Sequence, residues 1–140
     1  KLKDYYGAIS DYTKAIEINP QFANAYYNRG NVKKDIKDYY GAISDYTKAV
    51  EINSTFESAY YNRGWIKDEI KDYYGAISDY TKAIEINPQY GKAYNNRGLA
   101  KRKIGDDKGG CDDYKKAILL GNKETEKWFK TDGADWCRYM

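Results

Sequence analysis

The sequence predicts an all-α fold: a right-handed solenoid of seven repeat helices closed by a C-terminal capping helix. Three observations carry this expectation. The residues Asp-Tyr-Tyr-Gly-Ala-Ile-Ser-Asp-Tyr-Thr-Lys-Ala begin at Asp4, Asp38 and Asp72, 34 residues apart, and a degraded copy starts on schedule at Asp106. A fixed period of this size marks stacked repeats, because one unit cannot bury its apolar face without a neighbour. Apolar residues then recur at helical spacing within each copy, and turn-forming residues recur at fixed offsets between copies.

The elements follow in order. Residues 3–19 form the second half of a repeat, so 1–22 is a half repeat. Full repeats span 23–56, 57–90 and 91–124, and 125–140 is a capping segment, the whole making one domain. Each full repeat has a first helix (23–36 in the first copy) and a second one (39–52). The second places Tyr39, Ala42, Ile43, Tyr46, Ala49 and Val50 on one stripe. Asp38 stands where an N-cap belongs, with counterparts Asp4, Asp72 and Asp106. Asn19-Pro20 and Asn87-Pro88 end second helices, since proline disfavours helical geometry in the residue before it. In the last segment Glu126 to Lys130 suit a short amphipathic cap, with Asp132-Gly133 ending it and Trp136 folding back.

A 34-residue helix–turn–helix resembles the tetratricopeptide repeat. The first full repeat shows Tyr26, Gly30, Ala42, Tyr46 and Ala49. The second shows Tyr60, Gly64, Ala76, Tyr80, Ala83 and Pro88, and the third Tyr94, Gly98, Gly110, Tyr114 and Ala117. The resemblance implies a non-catalytic protein-interaction module whose first-type helices line a concave groove. Where the family has leucine and tyrosine columns, this chain has Arg29, Arg63 and Arg97, then Lys33, Lys67 and Lys101. The arginines keep step with Asp11, Asp45, Asp79 and Asp113, so ion pairs between helices are expected. Chaperone-binding members grip a terminal carboxylate with two lysines, two asparagines and an arginine. The matching positions are Tyr27, Asn31, Asn62, Lys92 and Asn96, so a lysine and the arginine are replaced and that mode is not expected.

The implied groove carries the candidate binding residues. Tyr27, Tyr61 and Trp65 would anchor an extended peptide or short helix of another protein. Asn28, Asn31, Asn62 and Asn96 carry both donors and acceptors for a peptide backbone. Lys92, Arg102 and Lys103, with no acid on their own helix, would attract acidic residues, whereas the middle repeat offers Asp68 and Glu69. The three first-type helices total +8 and the four second-type helices −6, against +3 for the chain. A single-stranded RNA ligand is the rival, since tyrosines interleaved with basic residues can stack on bases. Asp68 and Glu69 would repel its phosphates. A self-assembling scaffold is a third reading: the face of the first helix formed by Leu2, Tyr5, Ile9, Tyr12 and Ile16 would be exposed and would join copies into a homo-oligomer.

Other chemistry is disfavoured. With no histidine there is no Ser-His or Cys-His pair, and no cofactor or metal site is expected. The acid-rich run at 105–113 lacks the ligand spacing of a calcium loop and the Lys-Ser/Thr ending of a phosphate loop. Cys111 and Cys137 are far apart in sequence and are expected as free thiols. No apolar run suits a membrane span. The chain's ending resembles that of short cyanobacterial members of the family, which points to a bacterial cytoplasm.

Overall fold

The computed structural model describes residues 2–131 and 135–140, with side chains from Asp4 onward. Among them are nine α-helices and no strand: α1 (Leu2–Ile18), α2 (Ala23–Asp35), α3 (Tyr39–Ile52), α4 (Glu57–Glu69), α5 (Tyr73–Ile86), α6 (Gly91–Lys103), α7 (Asp107–Leu119), α8 (Lys123–Thr131) and α9 (Asp135–Arg138). Helices α2, α4 and α6 are first-type; α1, α3, α5 and α7 are second-type.

Local chemistry sets the boundaries. The carboxylates of Asp38, Asp72 and Asp106 accept from the N–H of Gly41, Gly75 and Gly109 at 3.0, 3.0 and 2.9 Å, capping α3, α5 and α7. Asp4 differs from expectation. Helix α1 already begins at Leu2, so Asp4 lies inside the first turn and not at the cap. First-type helices end in a left-handed residue: Lys37 (φ 63°), Lys71 (φ 66°) and Gly105 (φ 86°). The following Asp N–H then returns to the carbonyls of Lys33, Lys67 and Lys101 at 2.8, 2.7 and 2.9 Å. The two lysines hold this conformation at about 1–2 kcal/mol each, a cost glycine avoids. After second-type helices, the side chains of Asn19, Asn53 and Asn87 accept from the N–H two residues on, each at 3.1 Å, making the turn.

Each repeat helix packs on its successor, and α2 also meets α4 as α4 meets α6, so the first-type helices form the inner row. Small residues permit the close approach. Ala42, Ala49, Ala76 and Ala83 are fully buried beside Tyr46 and Tyr80. A Cβ on Gly30 would come within 2.9 Å of the Tyr46 ring, and one on Gly64 within 3.1 Å of Tyr80.

At the C-terminal end, α8 and α9 both lie against α7. Trp136 does fold back, and Asp132-Gly133 lie outside the described residues. The free-thiol expectation is overturned. Cys111 on α7 and Cys137 on α9 form a disulfide, with Cα atoms 5.4 Å apart and both side chains buried. Sequence separation gave no hint of it because the reversal of the chain through α8 brings the two together.

Candidate interaction groove

Between the inner row and the second-type helices runs a repeated ion cluster. Arg29 donates to both Asp45 oxygens at 2.9 and 2.7 Å, Arg63 to Asp79 at the same distances, and Arg97 to Asp113 at 2.8 and 2.7 Å. Lys33, Lys67 and Lys101 reach the same carboxylates at 2.8, 2.9 and 2.9 Å. Each arginine also donates to a threonine on the preceding second-type helix (Thr13, Thr47, Thr81) at 3.0–3.1 Å. Hydrogen bonding to Asp45 raises the pKa of Arg29; burial opposes the Arg63 charge, yet Asp79 raises it overall. The expected pairs are therefore present, except that Asp11 is exposed. These clusters tie three consecutive helices together and withdraw six cations from the groove.

The inner row is cross-linked in a second way. Asn62 Nδ2 donates to the Tyr27 hydroxyl at 3.3 Å and to Asn31 Oδ1 at 3.0 Å, and Asn96 Nδ2 to the Tyr61 hydroxyl at 3.0 Å. Tyr27 packs on Phe56 with ring centroids 4.6 Å apart, and Tyr61 stacks on Tyr90 at 4.9 Å. The half-buried rings of Tyr27 and Tyr61 are thus pinned at both face and hydroxyl. Burial raises the phenol pKa of Tyr61 and pushes that of Tyr90 up to about 12, so both stay neutral. Asn28 is half-buried on the same row. Trp65 is half-buried, with Lys34 Nζ 5.8 Å above its ring and Tyr39 at its edge.

The basic end is less free than the sequence suggests. Lys103 Nζ lies 3.0 Å from Asp68 Oδ1, and 5.0 Å over the Tyr73 ring. The Arg102 guanidinium lies 4.3 Å over Trp136 and 5.9 Å from Trp128, with Asp107 at 3.8 Å. Lys92 is exposed. Sequence reasoning missed the Thr125 hydroxyl, which donates to Asn95 Oδ1 at 2.6 Å and ties α8 to α6. Asn95, Leu99, Arg102, Tyr114 and Trp128 line a cavity of about 290 Å³ there. A signal existed for the cross-links: Tyr27–Asn62, Tyr61–Asn96 and Asp68–Lys103 are each 35 residues apart, one period plus one. No cluster of metal-ligating side chains occurs among the described residues.

One difference between repeats gives a direct test. The Tyr46 hydroxyl donates to Asn31 Oδ1 at 2.6 Å. In the next repeat Trp65 stands at the position of Asn31, and among the described residues no group meets hydrogen-bond geometry with the buried Tyr80 hydroxyl. Burial raises the phenol pKa of both tyrosines. Tyr46→Phe is expected to cost about 1 kcal/mol, whereas Tyr80→Phe removes an unsatisfied buried group and should stabilise by about 1 kcal/mol. Urea melts of the two variants give the comparison, and shifts of the same sign would refute it.

Comparison with known proteins agrees with this architecture. A TPR repeat model matches residues 1–36, and a tetratricopeptide repeat model matches 23–56 and 58–90. No curated protein matches the sequence. A crystal structure of MamA is 28% identical, with a TM-score of 0.82, over 86% of this chain and 70% of that one. A second MamA structure is 26% identical at a TM-score of 0.82, over 91% and 80%. The Arabidopsis OM64 TPR domain is 28% identical at a TM-score of 0.70, over 75% of this chain and 91% of that one. The helices thus define a class, the all-α repeat solenoid. The chain belongs to the tetratricopeptide-repeat family, whose repeats are protein–protein interaction modules. Among the described residues no helix is long and apolar enough to cross a membrane.

Proposed function

We propose that the chain is a non-catalytic scaffold whose inner row binds an extended segment or short helix of a partner protein. The supporting observation is pre-organisation. Tyr27 and Tyr61 are held rigid by Asn62 and Asn96 while remaining half-exposed, so little freedom is lost when a ligand settles on them. Asn28 and Trp65 lie along the same row, and the ligand's acidic residues meet Lys92 at its C-terminal end. Lys103 and Arg102 act there as shaped surface more than as free charge, because Asp68 and the two tryptophans hold them. The side of α1 formed by Tyr5, Ile9, Tyr12 and Ile16, half-buried and not exposed as expected, is a second contact surface, where the sequence suggested a further copy of the chain. The Cys111–Cys137 bond weighs against a cytoplasmic setting, since reducing compartments keep thiols reduced.

Peptides selected from a random library on the full chain test the groove. Trp65→Ala is expected to weaken them by about 2 kcal/mol, the scale of an aromatic hot spot. Full-strength binding by a Trp65→Ala, Asn28→Ala double variant would move the working surface elsewhere.

A further inference from the structure

Aromatic rings pack in the same way at two junctions of the inner row and not at the third. Tyr27 lies between Tyr46 and Phe56, with ring centroids 5.9 and 4.6 Å away, and Tyr61 lies between Tyr80 and Tyr90 at 5.7 and 4.9 Å. Each trio joins a first-type helix, the second-type helix after it and the entry to the next first-type helix. One period further on, the three positions hold Asn95, Tyr114 and Glu124. Two of the three rings are gone and only Tyr114 remains. The cavity of about 290 Å³ lies at this place, with Asn95, Tyr114 and Glu124 all in its lining. Trp128 of α8 meets Tyr114 with centroids 5.2 Å apart, yet it borders the space and does not fill it. Leu99, which is exposed, and Arg102 also line it.

We infer that this cavity is a specificity pocket of the groove, which takes one aromatic side chain of the bound segment. The inference rests on the groove reading and names a residue type which that reading leaves open. The two filled junctions show what such surroundings pack, a ring laid against the tyrosine of the second-type helix. Size agrees, since a closed apolar cavity of about 150 Å³ already holds benzene. Tyr114 and Trp128 offer partners for a further ring, and the Arg102 guanidinium offers its charge to a ring face. An aliphatic side chain would fill the volume and gain neither. The Asn95 amide makes no demand on the occupant: its Oδ1 accepts from Thr125 at 2.6 Å and its Nδ2 donates to Asn96 at 3.3 Å. Asn95 and Leu99 stand on the columns of Tyr61 and Trp65, which puts the pocket on the same row as the proposed anchors.

N-acetyl-tyrosinamide is the probe and N-acetyl-leucinamide its control, each titrated into the isotope-labelled full chain. The three tryptophans give three indole N–H resonances in a nitrogen–proton correlation spectrum. The tyrosine amide is expected to move the Trp128 resonance in a saturable way and to leave that of Trp65 in place. The leucine amide should bind about tenfold more weakly. Asn95→Tyr and Leu99→Trp refill the space with the residues of the preceding repeat, and each should weaken the tyrosine amide by about tenfold. Leu99 is exposed, so Leu99→Trp should keep its helical circular dichroism and decides the matter if Asn95→Tyr, which gives up the Thr125 bond, does not fold. Library peptides selected on the full chain should carry an aromatic residue at one fixed place, and those selected on Leu99→Trp should not. A still Trp128 resonance, equal binding of the two amides, unchanged affinity in Leu99→Trp, or selected peptides without an aromatic preference would each overturn the inference. The groove reading fails by a different sign. Peptides indifferent to the Trp65→Ala, Asn28→Ala pair, with the tyrosine amide still seated at Trp128, would uphold the pocket and remove the wider groove.

Discussion

Replacing Arg63 with alanine is expected to lower the melting temperature by about 10 °C, while Lys82→Ala leaves it nearly unchanged. The Arg63 side chain is 15% exposed and its partner Asp79 only 4%. The guanidinium joins Asp79 on α5 to Thr47 on α3 and lies 5.6 Å over the Tyr60 ring. Removing it leaves a buried carboxylate that cannot be resolvated in place. Breaking such a pair from one side costs about 3–5 kcal/mol, and the surviving contact with Lys67 at 2.9 Å argues for the lower end. Lys82, by contrast, is half-exposed, and its Glu85 partner lies 3.4 Å away on the surface. Thermal melts followed by circular dichroism decide the matter. Equal and small shifts would mean that the repeated cluster is ornamental to stability.

The second large effect belongs to the disulfide. Cys111 and Cys137 are 26 residues apart, and closing a loop of that size stabilises a fold by about 3 kcal/mol on chain-entropy grounds. Repeat proteins distribute stability locally, so the loss on reduction should be confined to one end. Amide exchange in α7, α8 and α9 is expected to quicken on reduction, or in a Cys111→Ser, Cys137→Ser variant, while α3 and α5 keep their protection. Trp136, which the bond holds near the Arg102 guanidinium, should become more accessible to a fluorescence quencher. Uniform loosening along the whole chain, or none, would show that the bond plays another part.

Much of this was readable beforehand because the copies are so alike. Identity at Asp38 and Asp72 made them caps, and the shared step of Arg63 and Asp79 made them a pair; both are in place. The inner row was harder. An asparagine amide serves a ligand and a neighbouring tyrosine equally well, and nothing local to Asn62 tells which. Lys103 looked free because its acid, Asp68, sits on a different helix one repeat earlier. The disulfide and α9 lay beyond the reach of periodicity, since the tail breaks the repeat and its placement depends on tertiary contacts of Cys137 and Trp136.

The likeness of α1, α3 and α5 also shapes how the chain reaches its fold. All three contain the same eleven residues from the first tyrosine of the repeat onward, so the seat that Arg29 and Gly30 make for α3 fits α1 or α5 equally well at the points of contact. A folding chain can therefore settle one whole repeat out of register, with native-like helices and satisfied ion clusters but the wrong neighbours. Escape requires a complete helix to leave a well-made seat, which is slow. Between molecules the same exchange links chains, so refolding should grow slower and less complete as protein concentration rises.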